Sequence, residues 1–350
     1  AARAYEVTGE DRYRKITEAY WQSAVTDRGF FATGGQTNGE IWTPPFAFAS
    51  RLGDKTQEHC TVYNMMRLAD YLYRWTGDVE YADYIERNLY NGVLAQQNPE
   101  TGMIAYFLAL EPGAEKVWGS RTSDFWCCHG SLVQAPTFHN AYVYYEHQDG
   151  LSVEQYIPTV LQWRHNGKSV MVRQTFDSQA SVPGPMTSDG SVHRPDQWVI
   201  QLSVEADQAV EFALNVRLPE WLADRASIFV NEEAQPVSGG PSSYASIRRM
   251  WHRDTVRLEF PKSLRACPLP DEPERVAFLD GPVVLAGICD EERMLIGDPD
   301  EPTTILAPHN EREWTMWRHG YRTINQDRNL IFKPLHEVVD EQYTIYFPVK

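Results

Sequence analysis

Over the first 95 residues the apolar positions recur at helical spacing. Ile85, Leu89 and Val93 form an i, i+4, i+8 stripe, and aromatic residues flank two turns of one form, Thr8-Gly9-Glu10 and Thr76-Gly77-Asp78. Each turn predicts a helix that ends on a left-handed glycine, followed by a helix capped by the acidic residue. The turns are 68 residues apart, so one helical hairpin recurs with an irregular loop between its copies. Recurring hairpins predict a solenoid or a closed toroid of paired helices. Four helices do not close a toroid, and the chain opens on Ala1-Ala2-Arg3-Ala4-Tyr5 with no methionine, leader or cap. The expectation is a barrel whose beginning precedes residue 1.

From about Gly150 the period drops to two. Val210, Phe212, Leu214, Val216 and Leu218 alternate with polar neighbours, as do Ile200, Leu202 and Val204, and Val256, Leu258 and Phe260. Pro183-Gly184 and Ser238-Gly239-Gly240 punctuate these runs as turns, which predicts an antiparallel sandwich. After a break rich in proline and acid beyond Pro268, Val276 to Leu279, Val283 to Leu285 and Tyr343 to Val349 read as further strands. The predicted order is a helical unit over 1–147, a β-sandwich over 148–266 and a second, incomplete β-sandwich unit over 267–350. The linker falls between Glu146 and Leu151.

Composition narrows the class. At 42% hydrophobic and 23% charged the chain is globular, and no apolar run approaches the ~20 residues of a spanning helix. Lys plus Arg, 32, against Asp plus Glu, 48, gives a net charge of −16. That balance excludes nucleic acid and an anionic membrane as expected partners, because both call for clustered positive charge. The 5 cysteines form no disulfide framework. Cys267 and Cys289 lack ligand-like spacing and read as structural thiols.

The other three cysteines carry the candidate chemistry. Glu58-His59-Cys60 and Cys127-Cys128-His129 together offer one oxygen and three sulfurs, a tetrahedral zinc set. From the residues alone, two alternatives stand beside a catalytic metal: reduced structural cysteines, and a closed zinc site without catalysis. His59 and His129 are ligands or outer donors in the metal reading. Gly34-Gly35-Gln36-Thr37-Asn38-Gly39-Glu40-Ile41-Trp42 is a glycine-rich loop that can present Glu40 in a cleft as a general acid, or leave it on the surface. Tyr106, at the end of Gly102-Met103-Ile104-Ala105-Tyr106, reads as a core tyrosine.

These motifs resemble the bacterial β-L-arabinofuranosidase family of glycoside hydrolases. The resemblance rests on Gly39-Glu40, Glu58-His59-Cys60, Tyr81-Ala82-Asp83 through Glu86-Arg87 to Tyr90-Asn91-Gly92, and Cys127-Cys128. Val216-Arg217-Leu218-Pro219-Glu220-Trp221 and Gly281-Pro282-Val283-Val284 extend it to about residue 290. It implies a partial (α/α)6 barrel followed by antiparallel β-sandwich domains. It further implies Zn2+ on Glu58, Cys60, Cys127 and Cys128, with Cys127 as nucleophile and Glu40 as acid/base. Tyr106, in a Tyr-x-x-x-Leu-Glu match ending at Glu111, would lie beside the sugar, with Glu58 and His129 as further substrate contacts. The implied partner is a carbohydrate of plant-wall origin, first β-L-arabinofuranose. Cys127-Cys128 is followed by His129-Gly130 where relatives often carry prolines, which leaves the sugar open. The alternative function is a carbohydrate-binding scaffold with a structural zinc and no turnover; a metal-free toroid lyase or isomerase is a third. Zinc-ready thiols favour a reducing cytoplasm, and the oligomeric state, a dimer included, is open.

Overall fold

Both Thr-Gly-acid turns join two helices. In the structure, a computed structural model, α1 (Ala2–Thr8) ends on Gly9 at φ +70° and α2 (Asp11–Trp21) follows. Likewise α3 (His59–Thr76) ends on Gly77 at φ +75° and leads into α4 (Val79–Asn88). The expected acidic caps are absent: Glu10 and Asp78 stand at the N-cap without a side-chain cap hydrogen bond. The threonine hydroxyls instead bridge the turns. Thr8 Oγ1 donates to the Ala4 carbonyl at 2.8 Å and accepts the Glu10 N–H at 3.2 Å. Thr76 repeats this with Leu72 at 3.0 Å and Asp78 at 3.1 Å. A hydroxyl can do both at once; a carboxylate has no proton to donate. The stripe Ile85, Leu89 and Val93 is buried, its last turn widened into a π-helical segment, Leu89–Val93. A short hairpin of β1 (Thr37–Asn38) and β2 (Ile41–Trp42) lies between α2 and α3. The fifth α-helix among the described residues is α5 (Cys127–Phe138). None of these helices is long and apolar enough to cross a membrane.

The structure describes residues 1–176, 196–309 and 320–350, with the backbone of 312–313 and 316–317; the expected Pro183-Gly184 turn lies outside them. The chain forms two compact units, residues 1–137 with 264–350, and residues 138–263. In the second unit, the expected linker is a hairpin of β3 (Tyr144–His147) and β4 (Gly150–Val153). It is followed by β5 (Thr159–His165), β6 (Lys168–Phe176), β7 (Gln197–Leu218), β8 (Ser227–Val230), β9 (Glu233–Gln235) and β10 (Ser243–Pro261). All eight share one sheet. The long β7 pairs with β10 along most of its length, with a bulge at Trp251/Arg253 where the strands bend. The alternating apolar residues of β7 and β10 meet in one core with Trp163, Phe212 and Trp251. The sheet is not wholly antiparallel, since β4 runs parallel to β7.

That parallel pairing requires a glycine. A Cβ on Gly150 would lie 1.9 Å from the Ala213 carbonyl oxygen, so backbone approaches backbone there. Gly150→Ala is expected to destabilise this unit by about 1–3 kcal/mol, as a forced strand shift does. An unchanged urea midpoint for that variant would contradict this close approach.

The chain then re-enters the first unit through β11 (Leu264–Leu269), β12 (Glu272–Asp280) and β13 (Val283–Ile288), which pair in succession. Residues 267–350, read from sequence as a unit of their own, share a core with the helical segment. Ala277 and Leu279 of β12 pack with Phe31, Leu108 and Tyr346, whereas Val276 and Phe278 join a separate cluster with Phe332 and Phe347. A strand buried on both faces loses its alternation, and the unbroken run Val276 to Leu279 is that signature. Tyr346 also accepts the Ala32 N–H at 2.7 Å. Cys289 is buried against Thr344, Cys267 is half-buried on β11, and neither forms a disulfide.

Candidate active site

Two helix N-termini converge on the candidate residues. Glu58 is the N-cap of α3 and Cys60 sits in its first turn, while Cys127 and Cys128 open α5. The Glu58 side chain makes no cap bond. Its Oε2 accepts the Thr61 hydroxyl at 3.1 Å, and its Oε1 lies 3.8 Å from Cys128 Sγ. The Cys60 N–H donates to Cys128 Sγ at 3.3 Å, the two sulfurs are 3.3 Å apart, and Cys60 Sγ is 3.2 Å from Ser131 Oγ. One ligand atom from each of Glu58, Cys60, Cys127 and Cys128 lies within 4.8 Å of every other. With Zn–S bonds of ~2.3 Å, a tetrahedral site has edges of about 3.7 Å, so little movement separates this cluster from such a site. Among the described residues it is the group of this kind, and it can hold a metal ion.

The three thiols differ in their environments. Burial pushes Cys60 up to about 11 and Cys128 higher still, so neither ionises unaided near neutrality. A divalent cation reverses that balance, as do the positive ends of α3 and α5 in smaller measure. Cys127 differs. It is exposed, and its hydrogen bond with the Tyr106 hydroxyl draws it below the usual thiol range.

Glu40 reaches this centre from the β1–β2 hairpin. Asn38 pairs with Ile41, leaving Gly39 and Glu40 as a two-residue turn with φ +59° and +66°. Two left-handed residues make a type I′ turn, in which the second position ordinarily belongs to glycine. What the sequence presents as an open glycine-rich loop is thus a hairpin with the carboxylate at its tip. The Tyr106 hydroxyl bridges the candidates: it donates to Glu40 Oε1 at 2.6 Å and lies 3.1 Å from Cys127 Sγ. Burial and those two bonds push the phenol upward, so it keeps its proton. Tyr106 is therefore no core residue, in contrast to the reading from its neighbours alone.

Other expected contacts fall around this centre. A cleft of about 960 Å³ opens beside Cys127, lined by Met103, Asp124, Phe125, Trp126 and His129. Phe125 and Trp126 are largely exposed, and such rings form stacking platforms for sugars. His129 lines the cleft and is outside the four-residue cluster. His59 is outside it as well; it is fully buried, and burial lowers it to about 3, so it stays neutral. Glu111 is exposed at the end of its motif. Sequence reasoning missed two buried amides behind the site, Gln57 and Gln96. A signal for Gln96 existed: it lies three residues beyond Val93 on the line of the apolar stripe, where a polar residue is out of place.

Residues 1–140 match the family model of the β-L-arabinofuranosidase GH127 catalytic domain, and residues 150–262 that of the GH127 middle domain. Among solved structures, the chain is similar to a GH127 β-L-arabinofuranosidase from Geobacillus stearothermophilus T6, with TM-score 0.74 and 21% identity, covering 100% of this chain and 59% of that one. It is also similar to the GH127 β-arabinofuranosidase BT3674, with TM-score 0.78 and 18% identity over 100% and 58% of the two chains. A structure described as a glycoside hydrolase matches with TM-score 0.74 and 18% identity over 99% and 64%. The chain thus spans about three fifths of the length of these structures. No curated protein sequence matches it.

Proposed function

Because the chain belongs to the GH127 β-L-arabinofuranosidase family, we propose that it contributes the reaction centre of a retaining glycoside hydrolase, with Cys127 as nucleophile and Glu40 as acid/base. The observation that carries this reading is the shared phenol. Glu40 Oε1 and Cys127 Sγ lie 2.6 and 3.1 Å from one oxygen, so they are at most 5.7 Å apart, the two legs added. Retaining enzymes place their two groups about 5–5.5 Å apart, whereas inverting ones need about 6.5–9.5 Å to admit a water. Sulfur replaces the usual carboxylate nucleophile here.

Zinc held by Glu58, Cys60, Cys127 and Cys128 would keep the thiols deprotonated and so supply Cys127 as a thiolate. The remaining steps belong to the chain's own residues. The phenol has one proton and two neighbours, and it donates to Glu40 when that carboxylate is charged. In the reactive state, with Cys127 a thiolate and Glu40 carrying the proton, it would turn to donate to the sulfur and accept from Glu40. As the sulfur attacks the anomeric carbon, Glu40 gives its proton to the departing glycosidic oxygen and the C–O bond breaks. The Tyr106 proton is then free to turn toward the Glu40 carboxylate. Water next attacks the thioglycosyl carbon and Glu40 takes its proton; the C–S bond breaks, the sulfur leaves as thiolate, and the sugar departs with retained configuration. The substrate is a terminal β-L-arabinofuranosyl unit or a related plant-wall sugar, seated by the cleft beside Trp126. The helices form part of an (α/α)6 barrel in this reading.

Proton NMR of the first sugar released tests the proposal: the product should keep the anomeric configuration of the substrate, and an inverted first product would overturn it. Metal analysis supplies an independent check. About one zinc per chain is expected, and a chelator should lower the melting temperature, because ligands from two helices lose their common ion. A chain purified with no bound metal and indifferent to chelator would remove the metal from the proposal.

A further inference from the structure

Besides the start of α5, three separate stretches supply the site: the β1–β2 hairpin with Glu40, the start of α3 with Glu58 and Cys60, and the segment around Tyr106. Each passes over the same buried pair of amides, Gln57 and Gln96, both with no exposed surface. Gln57 directly precedes Glu58 and has φ +54°, a left-handed conformation that a glutamine rarely adopts. Its N–H donates to the Thr37 carbonyl at 2.9 Å, its carbonyl accepts Leu108 N–H at 3.3 Å, and its Nε2 donates to the Asn91 carbonyl at 3.0 Å. It also packs so tightly on the hairpin's approach that a Cβ on Gly35 would lie 2.5 Å from its side chain.

Gln96 closes the arrangement. Its Nε2 lies 3.3 Å from the Gln57 carbonyl, 3.2 Å from that of Ala105 and 3.2 Å from that of Tyr106, and its Oε1 is 3.5 Å from Gln57 Nε2. The Tyr106 carbonyl also accepts the His59 N–H at 3.1 Å, between the two ligands of α3. One amide group thus ties the backbone just before Glu58 to the backbone that carries the Tyr106 phenol. An apolar side chain of equal size would take a second donor from the Gln57 and Tyr106 carbonyls, which also accept the Leu108 and His59 N–H groups, and the Gln96 donor from that of Ala105, so the tie between the stretches would be lost.

We infer that Gln96 is a positioning residue of the proposed reaction: it sets the backbone of Gln57 and Tyr106 so that Glu58 and Cys60 meet Cys128 while the Tyr106 hydroxyl meets both Glu40 and Cys127. It acts through those residues and touches no reacting atom. The inference rests on the glycosidase reading for its kinetic consequence, and on the ligand cluster alone for its metal consequence.

The test compares the wild-type chain with Gln96→Met, which keeps length and loses the donors, and with the milder Gln96→Asn. Leu72→Ala, in the buried core of α3, serves as a control for general loss of stability. Zinc affinity is measured by competition with a chromogenic chelator on folded protein. Both Gln96 variants should bind zinc about 10–100-fold more weakly, the range for residues that orient ligands, while Leu72→Ala binds it as wild type does. In turnover, the Gln96 variants should lose kcat by about tenfold or more with KM within about twofold, because the sugar cleft is untouched. Faster amide hydrogen exchange at His59 in Gln96→Asn should accompany the effect, and gives a readout if Gln96→Met does not fold. Wild-type zinc affinity in Gln96→Asn with unaltered His59 exchange would overturn the inference, as would equal zinc losses in Gln96→Met and Leu72→Ala. A wild-type chain that binds zinc and turns over no sugar counts against the glycosidase reading alone and leaves the metal arm standing.

Discussion

Cys127→Ser is expected to abolish turnover of an aryl β-L-arabinofuranoside, lowering kcat by about 10⁴-fold or more, as loss of a covalent nucleophile does. Serine has nearly the shape of cysteine, so the cleft beside Trp126 and the start of α5 should be preserved. Its hydroxyl, however, is neither a thiolate nor a good zinc ligand, so the Tyr106 bridge would end on a weak nucleophile. Three measurements separate this from a purely structural role. The variant should keep its far-ultraviolet circular dichroism and bind substrate, yet trap no sugar. In the wild type, mass spectrometry of quenched turnover should find one glycosyl unit on the peptide containing Cys127. Turnover of Cys127→Ser within tenfold of wild type would sink the nucleophile assignment. A variant that fails to fold would instead favour a scaffold whose metal is structural.

At Glu40 the expected effects on rate and on stability diverge. Glu40→Ala and Glu40→Gly both remove the proposed acid/base and should lower kcat by about 10²–10⁴-fold for a sugar leaving group. With a nitrophenyl leaving group, which needs no proton, the first step should recover and thioglycosyl hydrolysis become limiting; azide, which needs no general base, should then restore turnover. Stability separates the two variants. Glu40 stands at φ +66° in the second position of a type I′ turn, where a Cβ costs ~1–2 kcal/mol. Glu40→Gly should therefore exceed Glu40→Ala in stability by about 1 kcal/mol, despite its larger unfolded-state entropy. Equal melting temperatures for the pair would contradict the turn, and undiminished turnover of an arabinosyl disaccharide would contradict the role. A glycine would suit this turn better, and a glycine carries no proton for the proposed role.

Much of the chemistry was legible before any fold was known, for a specific reason. Adjacent cysteines, and a glutamate two residues from a third, are residue types whose chemistry is local, so Cys127-Cys128 and Glu58-His59-Cys60 offer a candidate donor set, which the residues alone leave beside reduced structural cysteines and the family resemblance singles out. The helical hairpins were legible because Gly9 and Gly77 must adopt left-handed backbone, and few residues can. The details of capping were not: the N–H groups of Glu10 and Asp78 go to the hydroxyls of Thr8 and Thr76, while the two carboxylates, placed to cap, make no cap bond, and residue type alone does not reveal this. Tyr106 read as a core tyrosine because its neighbours are apolar, and nothing local shows which way a phenol points. The border of the last segment was misdrawn for a related reason. Val276 to Leu279 marks a strand covered on both faces, and what covers it lies more than 160 residues away, at Phe31 and Leu108.

By itself, then, the sequence determined the two periods, the glycine-ended hairpins, four side chains that could share a metal ion and the acid at the end of a glycine-rich stretch. Only the tertiary structure decided that Glu40 and Cys127 share one phenol, that Gln57 and Gln96 hold three distant backbone stretches together, and that the terminal β segment completes the helical unit's core. Periodicity and residue type report what a segment can form with its own neighbours. Contacts between residues 40, 58, 106 and 127 depend on the closing of loops tens of residues long, which is set by the packing of the whole unit and leaves no mark at any one position.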